Sequence, residues 1–180
     1  MELLFLSKVY RQDPQEKYRM AFLKGIEYLL KAQYENGGWP QFFPLENKYS
    51  SHITFNDDAM VNALETLREI KDGTDYFSIK ASEETRKRAA IAFQKGIDCI
   101  LKTQFNQDGT LTAWCAQHDE YSLFPAQARK YELPSLSGYE SAGIVLLLME
   151  EPNPSRELKR AINSAVSWFE KTKITNLKEV

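Results

Sequence analysis

The sequence predicts an all-α fold of three helical hairpins, stacked as an incomplete (α/α) barrel with long loops on one rim. The first observation is an internal repeat, since KGIEYLLKAQY at residues 24–34 returns as KGIDCILKTQF at residues 95–105. The second is that Pro and Gly lie at the boundaries of helical runs, with no sustained strand alternation. Two helices per repeat cannot bury both faces alone, so neighbouring hairpins must stack into an α/α toroid or an arc of one.

A weaker third copy, SAVSWFEKT at residues 164–172, extends the repeat. Asp13-Pro14 and Asn153-Pro154 predict capped helix starts at equivalent places. Each copy has apolar side chains at i, i+4 and i+7, which predicts a buried face on three equivalent helices. These side chains are Phe22, Ile26, Leu29, Phe93, Ile97, Ile100, Ile162, Val166 and Phe169.

Another helical run precedes each copy, at residues 1–11, 57–71 and 138–149. The last run is apolar all round, which indicates a buried inner helix. We therefore expect inner and outer helices to alternate within one domain over residues 1–180. The loops at residues 35–56 and 106–135 follow equivalent helices and should emerge on the same rim, where a rigid scaffold usually carries functional groups.

Composition narrows the classes of function. The 180 residues are 43% hydrophobic and 12% aromatic, which suits one sizeable core. A formal net charge of −2 argues against nucleic acid as a partner, because binding phosphates needs a basic face. The sequence has no run of membrane-spanning length and no basic segment typical of a signal peptide, so neither is expected. Cys99 and Cys115 lack the spacing of a zinc site or a disulfide framework.

The first long loop ends in a dense group of polar residues. The stretch SHITFNDDAM at residues 51–60 places His52, Asn56, Asp57 and Asp58 directly before a helical run. A helix N-terminus favours negative charge, so one of the acids could serve only as a cap. Two adjacent acids preceded by an imidazole and an amide also suggest a site for a cation or a polar ligand, and both explanations stay open here.

Both histidines and two of the three tryptophans fall in the two loops. Trp39 lies in the first loop, and Trp114 and His118 lie in the second. The indoles could stack on sugar rings or fill gaps between hairpins. Farther along the second loop, Arg129 could bind a carboxylate through its planar fork or pair with Glu132. This concentration of indole, imidazole and acid favours a ligand site on the rim.

Four motifs carry a resemblance to a known family: NGGWPQ at 36–41, HITFNDDAM at 52–60, TAWCAQHD at 112–119 and YELPSLSG at 131–138. Over essentially its whole length the chain resembles the family 10 pectate lyases. The resemblance implies an α/α toroid that cleaves de-esterified α-1,4-polygalacturonate by β-elimination. It further implies that calcium holds the substrate carboxylate, that an arginine abstracts the proton, and that the protein is secreted or periplasmic.

Residue by residue, the resemblance places Asp57, or its neighbour Asp58, and Asp119 among the acids that organise calcium and substrate. We expect these three as metal ligands, with Asp57 and Asp119 in the catalytic centre. Removing the proton beside a uronate carboxylate builds negative charge there, which a divalent cation stabilises. Calcium takes several oxygen ligands, so weak binding is expected without substrate. The expected substrate contacts are Trp39, His52, Asn56, Trp114, His118 and Arg129.

The sequence departs from the family pattern at both ends. It opens inside what resembles the second inner helix, and the repeat puts a third rim loop from about residue 175. The resemblance places the proton-abstracting arginine in that later segment, so no arginine of this chain is assigned the role. We therefore expect the central part of a lyase module, with little or no activity alone. Uncovered inner-helix surface, including residues 3–6, should favour self-association.

Two other hypotheses stay open. One is a toroid without catalytic activity that binds oligogalacturonate or serves as a scaffold. The other rests on Gln33, Gly37 and Trp39, whose spacing resembles the QW repeat of triterpene cyclases, in which Gln and Trp tie helix ends together. The second copy of that spacing, at Gln104, lacks a Trp in register.

Overall fold

The structure is a computed structural model that describes residues 2–46 and 48–175. Its described residues form six α-helices and four two-residue strands, joined by loops and two 3-10 turns, Tyr49–Ser51 and Asn56–Asp58. The helices are α1 Glu2–Gln12, α2 Glu16–Ala32, α3 Ala59–Asp72, α4 Glu83–Thr103, α5 Gly138–Met149 and α6 Arg156–Thr172. The strands are β1 Ile53–Thr54, β2 Asn106–Gln107, β3 Thr110–Leu111 and β4 Gln117–His118. The third rim loop expected from about residue 175 falls almost wholly outside the described residues.

Successive helices pair as the repeat predicts. Helix α1 packs on α2, α3 on α4, and α5 on α6. The inner helix α3 also contacts the inner helix α5, and the outer helix α4 contacts both α2 and α6. This alternation is that of an α/α toroid, so the predicted fold class and its three hairpins are confirmed.

The repeated glycine explains how closely the helices of a hairpin approach. A Cβ atom on Gly25 would lie 2.4 Å from Cδ2 of Leu3, and one on Gly96 would lie 2.4 Å from Cδ2 of Leu64. A larger residue at either place would force the facing leucine side chain of the inner helix to move. The glycine of the repeated KGI motif therefore meets the same packing requirement in the first and second hairpins.

The predicted core stripes hold for two of the three outer helices. Phe22, Ile26 and Ile100 are fully buried, and Phe93 and Ile97 are nearly so. The prediction for α6 holds only in part, because Ile162 and Phe169 pack partly buried against the core whereas Val166 is 42% exposed. The buried side chains of α6 are Leu158, Ala161 and Ala165, which form a narrower face of mostly small residues.

Two local predictions about helices are also corrected. Helix α2 has Gln15 at its N-cap and α6 has Ser155, whose side chain accepts from the Leu158 N–H, so Asp13 and Asn153 are not the caps. Helix α5 buries one face but exposes Leu146 and Met149, so it is not buried all round. Within the described part of the chain, no helix has both the length and the apolarity needed to cross a bilayer.

Candidate functional site

One side-chain amide and one indole anchor the first rim loop to the helices by hydrogen bonds. The side-chain amide of Gln33 donates to the carbonyl of Gly37 at 3.0 Å and to that of Ala92, in the next outer helix, at 2.8 Å. The indole of Trp39 donates to the carbonyl of Leu29 at 2.9 Å. Together these bonds fix the loop to α2 and α2 to α4.

The second rim loop uses the same device. The amide of Gln104 donates to the carbonyls of Thr112 and Ala161, both at 2.9 Å, and the indole of Trp114 donates to the carbonyl of Ile100 at 2.8 Å. Ile100 lies 71 residues after Leu29, whereas Trp114 lies 75 residues after Trp39, so the second loop is four residues longer before its indole. The second copy thus lacks a tryptophan in register, as the sequence indicates, and Trp114 makes the equivalent bond from four residues farther along.

Three of the predicted substrate contacts are interior residues. Trp39 is 4% exposed, and Trp114 and His118 are 0% exposed. Both indoles fill gaps between hairpins, which was the alternative to sugar stacking. The Nδ1 atom of His118 donates to the carbonyl of Leu123 at 3.0 Å, and burial lowers the pKa of His118 to about 4, so its ring is neutral. The expectation that these three side chains contact substrate is corrected, because substrate cannot reach them in this structure.

A short ladder brings the two rim loops together. Strands β1 and β4 pair antiparallel, with Ile53 opposite His118 and Thr54 opposite Gln117. Beyond one end of the ladder, the backbone N–H groups of Phe55 and Asn56 donate to the carbonyl of Ala116 at 2.8 and 3.0 Å. The residues that follow Asn56 therefore lie past one end of the ladder, and those that precede Ile53 lie past the other.

A histidine and two acids meet at the second of these ends. The Nδ1 atom of His52 lies 3.0 Å from Oε2 of Glu120, and the Ser51 hydroxyl donates to the other oxygen of Glu120 at 3.0 Å. One ligand atom each from His52, Asp119 and Glu120 lie within 4.8 Å of one another. This end of the ladder thus presents three groups that can hold a cation.

Asp119 is held ionised by its own turn. Its Oδ1 atom accepts from the backbone N–H groups of Ser122 at 2.7 Å and Tyr121 at 3.1 Å, and from the Ser122 hydroxyl at 2.8 Å. These bonds, those from Ser122 above all, lower the pKa of Asp119, and the charge of His52 adds to the effect. A carboxylate so fixed keeps its charge and its orientation.

The backbone of Asp57 and Asp58, at the first end of the ladder, is unusual. Both residues are left-handed, with φ of 54° and 56°. For residues other than glycine this conformation costs roughly 1–2 kcal/mol each, less for aspartate than for most, and such strain clusters at functional sites. The amide of Asn56 donates to Oδ2 of Asp57 at 2.6 Å and so orients that carboxylate.

Asp58 stands at the N-cap position of α3 but does not act as a cap. Among the described residues, its side chain accepts no hydrogen bond from the helix, and its buried Oδ1 atom has no partner. That oxygen lies against α5, where a Cβ atom on Gly143 would come within 2.6 Å of it. The carboxylate raises the pKa of the Tyr139 hydroxyl, by a hydrogen bond first and by its charge second. The capping explanation therefore fails for Asp58.

Arg129 forms the ion pair that was its alternative role. Its guanidinium lies 2.6 Å from Oε1 of Glu132, with the arginine side chain 70% exposed. Glu132 raises the pKa of Arg129, by a hydrogen bond first and by its charge second, and the charges of Tyr49 and Asp57 add smaller effects in the same direction.

The predicted metal ligands are divided between the two ends of the ladder. In residues 2–46 and 48–175, the one compact group of three side chains able to bind a metal is His52, Asp119 and Glu120, so Asp57, Asp58 and Asp119 do not form a single cage. Asp57 follows His52 by five residues, so the two ends of the ladder are at most about 18 Å apart along the chain.

Two residues of the site were not singled out from the sequence. Glu120 adjoins Asp119 but was not recognised, and Tyr139 gave no signal because only tertiary packing brings it to Asp58.

Comparison with known proteins identifies the family. The model of the family described as pectic acid lyase matches residues 1–180. The chain belongs to the pectic acid lyase family. The chain is also similar to the solved family 10 polysaccharide lyase from Cellvibrio cellulosa, with a TM-score of 0.86 and 42% identity over 94% of this chain and 52% of that one.

A second solved structure of the Cellvibrio lyase, an aspartate-to-alanine variant in complex with trigalacturonic acid, matches with the same TM-score and identity. The alignment with it covers 94% of this chain and 53% of that one, so this chain spans about half the length of these solved lyases. A comparison with curated proteins gave no match. The resemblance inferred from the four motifs is confirmed.

Proposed function

We propose that this protein is a pectate lyase that cleaves α-1,4-polygalacturonate by calcium-assisted β-elimination. The observation that carries the proposal is the β1–β4 ladder, which delivers acids from two rim loops to one rim of the toroid. Family membership supports the reaction, and the trigalacturonic acid bound to the Cellvibrio variant supports the class of ligand. We also propose a secreted or periplasmic location, because a polymeric pectin substrate lies outside the cell.

The acids of the rim suit calcium. Asp57 is exposed, Asp119 is partly exposed, and the buried Oδ1 of Asp58 lacks a partner among the described residues. Bound calcium would neutralise the charge that develops on the uronate carboxylate as the adjacent proton leaves. In this proposal Asp57 and Asp58 act from one end of the ladder and Asp119 from the other, and oxygens of the bound substrate link the ion to the acids that do not touch it. Because they form no closed cage, substrate oxygens complete the coordination, and calcium alone binds weakly.

The remaining polar groups position substrate and acids. Asn56 fixes the Asp57 carboxylate. His52 contacts substrate at the other end of the ladder, where Glu120 holds its ring. Arg129 exchanges Glu132 for a galacturonate carboxylate, since an exposed ion pair is weak and the planar guanidinium binds carboxylates in a bidentate manner. The proton-abstracting arginine is not assigned to any residue described here.

Calcium-dependent binding of trigalacturonate, measured by titration calorimetry with calcium and with EDTA, tests the assignment of the acids. We expect Asp57→Ala and Asp119→Ala each to weaken the calcium-dependent binding by about 10- to 100-fold. Asp75→Ala is the control, because Asp75 is exposed and pairs with Lys80 in the loop between α3 and α4. Binding that needs no calcium, or that both site variants retain, would overturn the assignment.

A second candidate function is a toroid that binds oligogalacturonate without cleaving it. The observation in its favour is that Glu132 raises the pKa of Arg129, the arginine of the second rim loop, which makes that arginine a poor base. Absorbance of unsaturated product from polygalacturonate with calcium at alkaline pH separates the two functions. Calcium-dependent product, even at the low rate expected of this chain alone, supports the lyase, and calcium-dependent binding without any product supports the binding module.

We further propose self-association through the inner helices. Phe5, Leu146 and Met149 are exposed by 68%, 64% and 62%, which leaves apolar side chains uncovered on α1 and α5. A second copy of the chain is the proposed occupant of this surface. Sedimentation velocity should show concentration-dependent association that Phe5→Ser and Leu146→Ser reduce. A clean monomer at high concentration would contradict the proposal.

A further inference from the structure

An open groove of about 940 Å³ lies between the β2–β3 hairpin and α6, and it shares no lining residue with the acids of the rim. On its α6 side, a polar stripe runs at i, i+4, i+7, i+11 and i+15, a spacing that puts all five side chains on one face. The stripe spans about 22 Å, because a helix rises about 1.5 Å per residue. Its members are Arg156, Arg160, Asn163, Ser167 and Lys171.

The groove is strongly cationic in a chain whose formal net charge is −2. Four exposed cations line it, namely Arg156, Lys159, Arg160 and Lys171. Within the described part of the chain, none of the four has a carboxylate within 4.0 Å. The acids of α6, Glu157 and Glu170, do not line the groove, and Asp108 in the hairpin is its one lining carboxylate among the described residues.

The scaffold does not require this charge, as the equivalent helices of the repeat demonstrate. The five equivalent positions in α4 hold Lys87, Ile91, Gln94, Asp98 and Lys102, and those in α2 hold Glu16, Met20, Leu23, Glu27 and Lys31. Three of the charges at these positions are paired: Glu16 with Arg19, Glu27 with Arg88 and Lys87 with Glu83. The unpaired basic stripe is thus a feature of the third hairpin alone among the described helices.

We propose that this groove binds a chain of acidic polysaccharide at a place separate from the rim acids. The cations match carboxylates, while Asn163, Ser167 and Thr110 offer hydrogen bonds to sugar hydroxyls. The indole of Trp168 supplies an apolar wall for a sugar ring. A groove of this length suits an elongated ligand better than a small anion. The choice of polygalacturonate as the polymer rests on the proposed function.

Charge reversal at the two ends of the stripe tests the proposal, with the equivalent lysines of α4 as a matched control. The test pair is Arg156→Glu with Lys171→Glu, and the control pair is Lys87→Glu with Lys102→Glu. All four side chains are exposed, so both double variants should fold, which melting followed by circular dichroism checks. Binding is measured by native gels cast with and without polygalacturonate, in EDTA so that calcium-dependent binding at the rim is silent.

We expect the test pair to weaken polygalacturonate binding about tenfold and the control pair to leave it unchanged. Added salt should weaken the binding of the unaltered chain, because exposed charges are screened. Equal retardation of both double variants would overturn the proposal. Tighter binding of single-stranded DNA, or equal binding of neutral dextran, would overturn the polysaccharide as ligand. The test pair should keep the calcium-dependent binding of trigalacturonate at the rim, so failure of the lyase site and failure of the groove are distinguishable.

Discussion

The two rim loops begin alike and end differently. Each starts with a Gln amide that bonds its own loop and the next outer helix, followed by an indole that bonds the last turn of the preceding helix. After the indole, the first loop leads to the left-handed pair Asp57 and Asp58. The second leads to a turn that holds Asp119 beside Glu120.

Each loop therefore has two parts, one that anchors it to the helices and one that presents acids to solvent. The aromatic and amide residues, which are conspicuous in the sequence, form the common and buried part. The acids, which differ between the loops, form the accessible part. A repeat scaffold can therefore keep one anchoring device in every hairpin and vary the residues that the anchored loop presents.

The largest effect is expected from removing an indole. Trp114→Ala and Trp39→Ala should each lower the free energy of unfolding by about 3–5 kcal/mol, because each leaves a cavity between hairpins. Urea denaturation followed by circular dichroism measures the loss. Trp114→Phe should lose clearly less. A cost below about 1 kcal/mol at either position, together with weaker trigalacturonate binding, would make that indole a substrate contact instead.

An intermediate effect is expected from the amides. Gln33→Met and Gln104→Met keep the side-chain volume but leave two loop and helix carbonyls without their donor, at a cost of about 1–3 kcal/mol each. Equal costs at the two positions would confirm that the two anchors are equivalent. Gln127→Met serves as the control, because Gln127 is exposed and should change stability little. A near-zero change in the free energy of unfolding at one position would show that the two loops are not anchored in the same way.

A smaller effect of opposite sign is expected at the strained turn. Asp57→Gly should raise the free energy of unfolding by up to about 1 kcal/mol, since glycine adopts positive φ without a steric cost, and it should abolish the calcium contact of Asp57. Asp108→Gly is the matched control, because Asp108 is also left-handed, with φ of 51°, but lies in the β2–β3 hairpin. Its stability should rise similarly while calcium-dependent trigalacturonate binding stays unchanged. Retained binding in Asp57→Gly would remove Asp57 from the site.

The smallest effect on the fold is expected from alkylation of the two buried cysteines. The rates measure how often α4, which holds Cys99, and the second rim loop, which holds Cys115, open to solvent. Burial raises the pKa of Cys99 to about 12 and that of Cys115 to about 11, so both thiols stay protonated at pH 8.5. Alkylation should be slower than in denaturant by at least about a thousandfold for Cys99 and a hundredfold for Cys115. Because the folded pKa values are raised, keeping the two thiols protonated contributes to the free energy of unfolding. That contribution is complete below about pH 9 and is lost as the pH rises through the folded pKa values. Fast native labelling of Cys115 alone would mean that the second loop opens independently.

Some elements were predictable because local periodicity decides them. The six helices follow from the apolar spacing and the repeat, and the pairing into hairpins follows from the short connections between repeat members. The α6 stripe was wrong only at Val166, because periodicity gives a face but not which neighbour covers it. Asp13 and Asn153 were wrong as caps because a following proline marks a helix start only to within a few residues.

The candidate site was only partly predictable. The sequence by itself determined that acids, imidazoles and indoles gather on one rim, because equivalent loops of a repeat must leave equivalent helix ends. Which of them are accessible was decided by tertiary structure alone: Trp39, Trp114 and His118 are interior, and Glu120 and Tyr139 join the acids through contacts between distant segments. The physical reason is that spacing along the chain fixes the direction of a side chain from its own helix or strand, whereas burial and charge depend on which other segments pack against it.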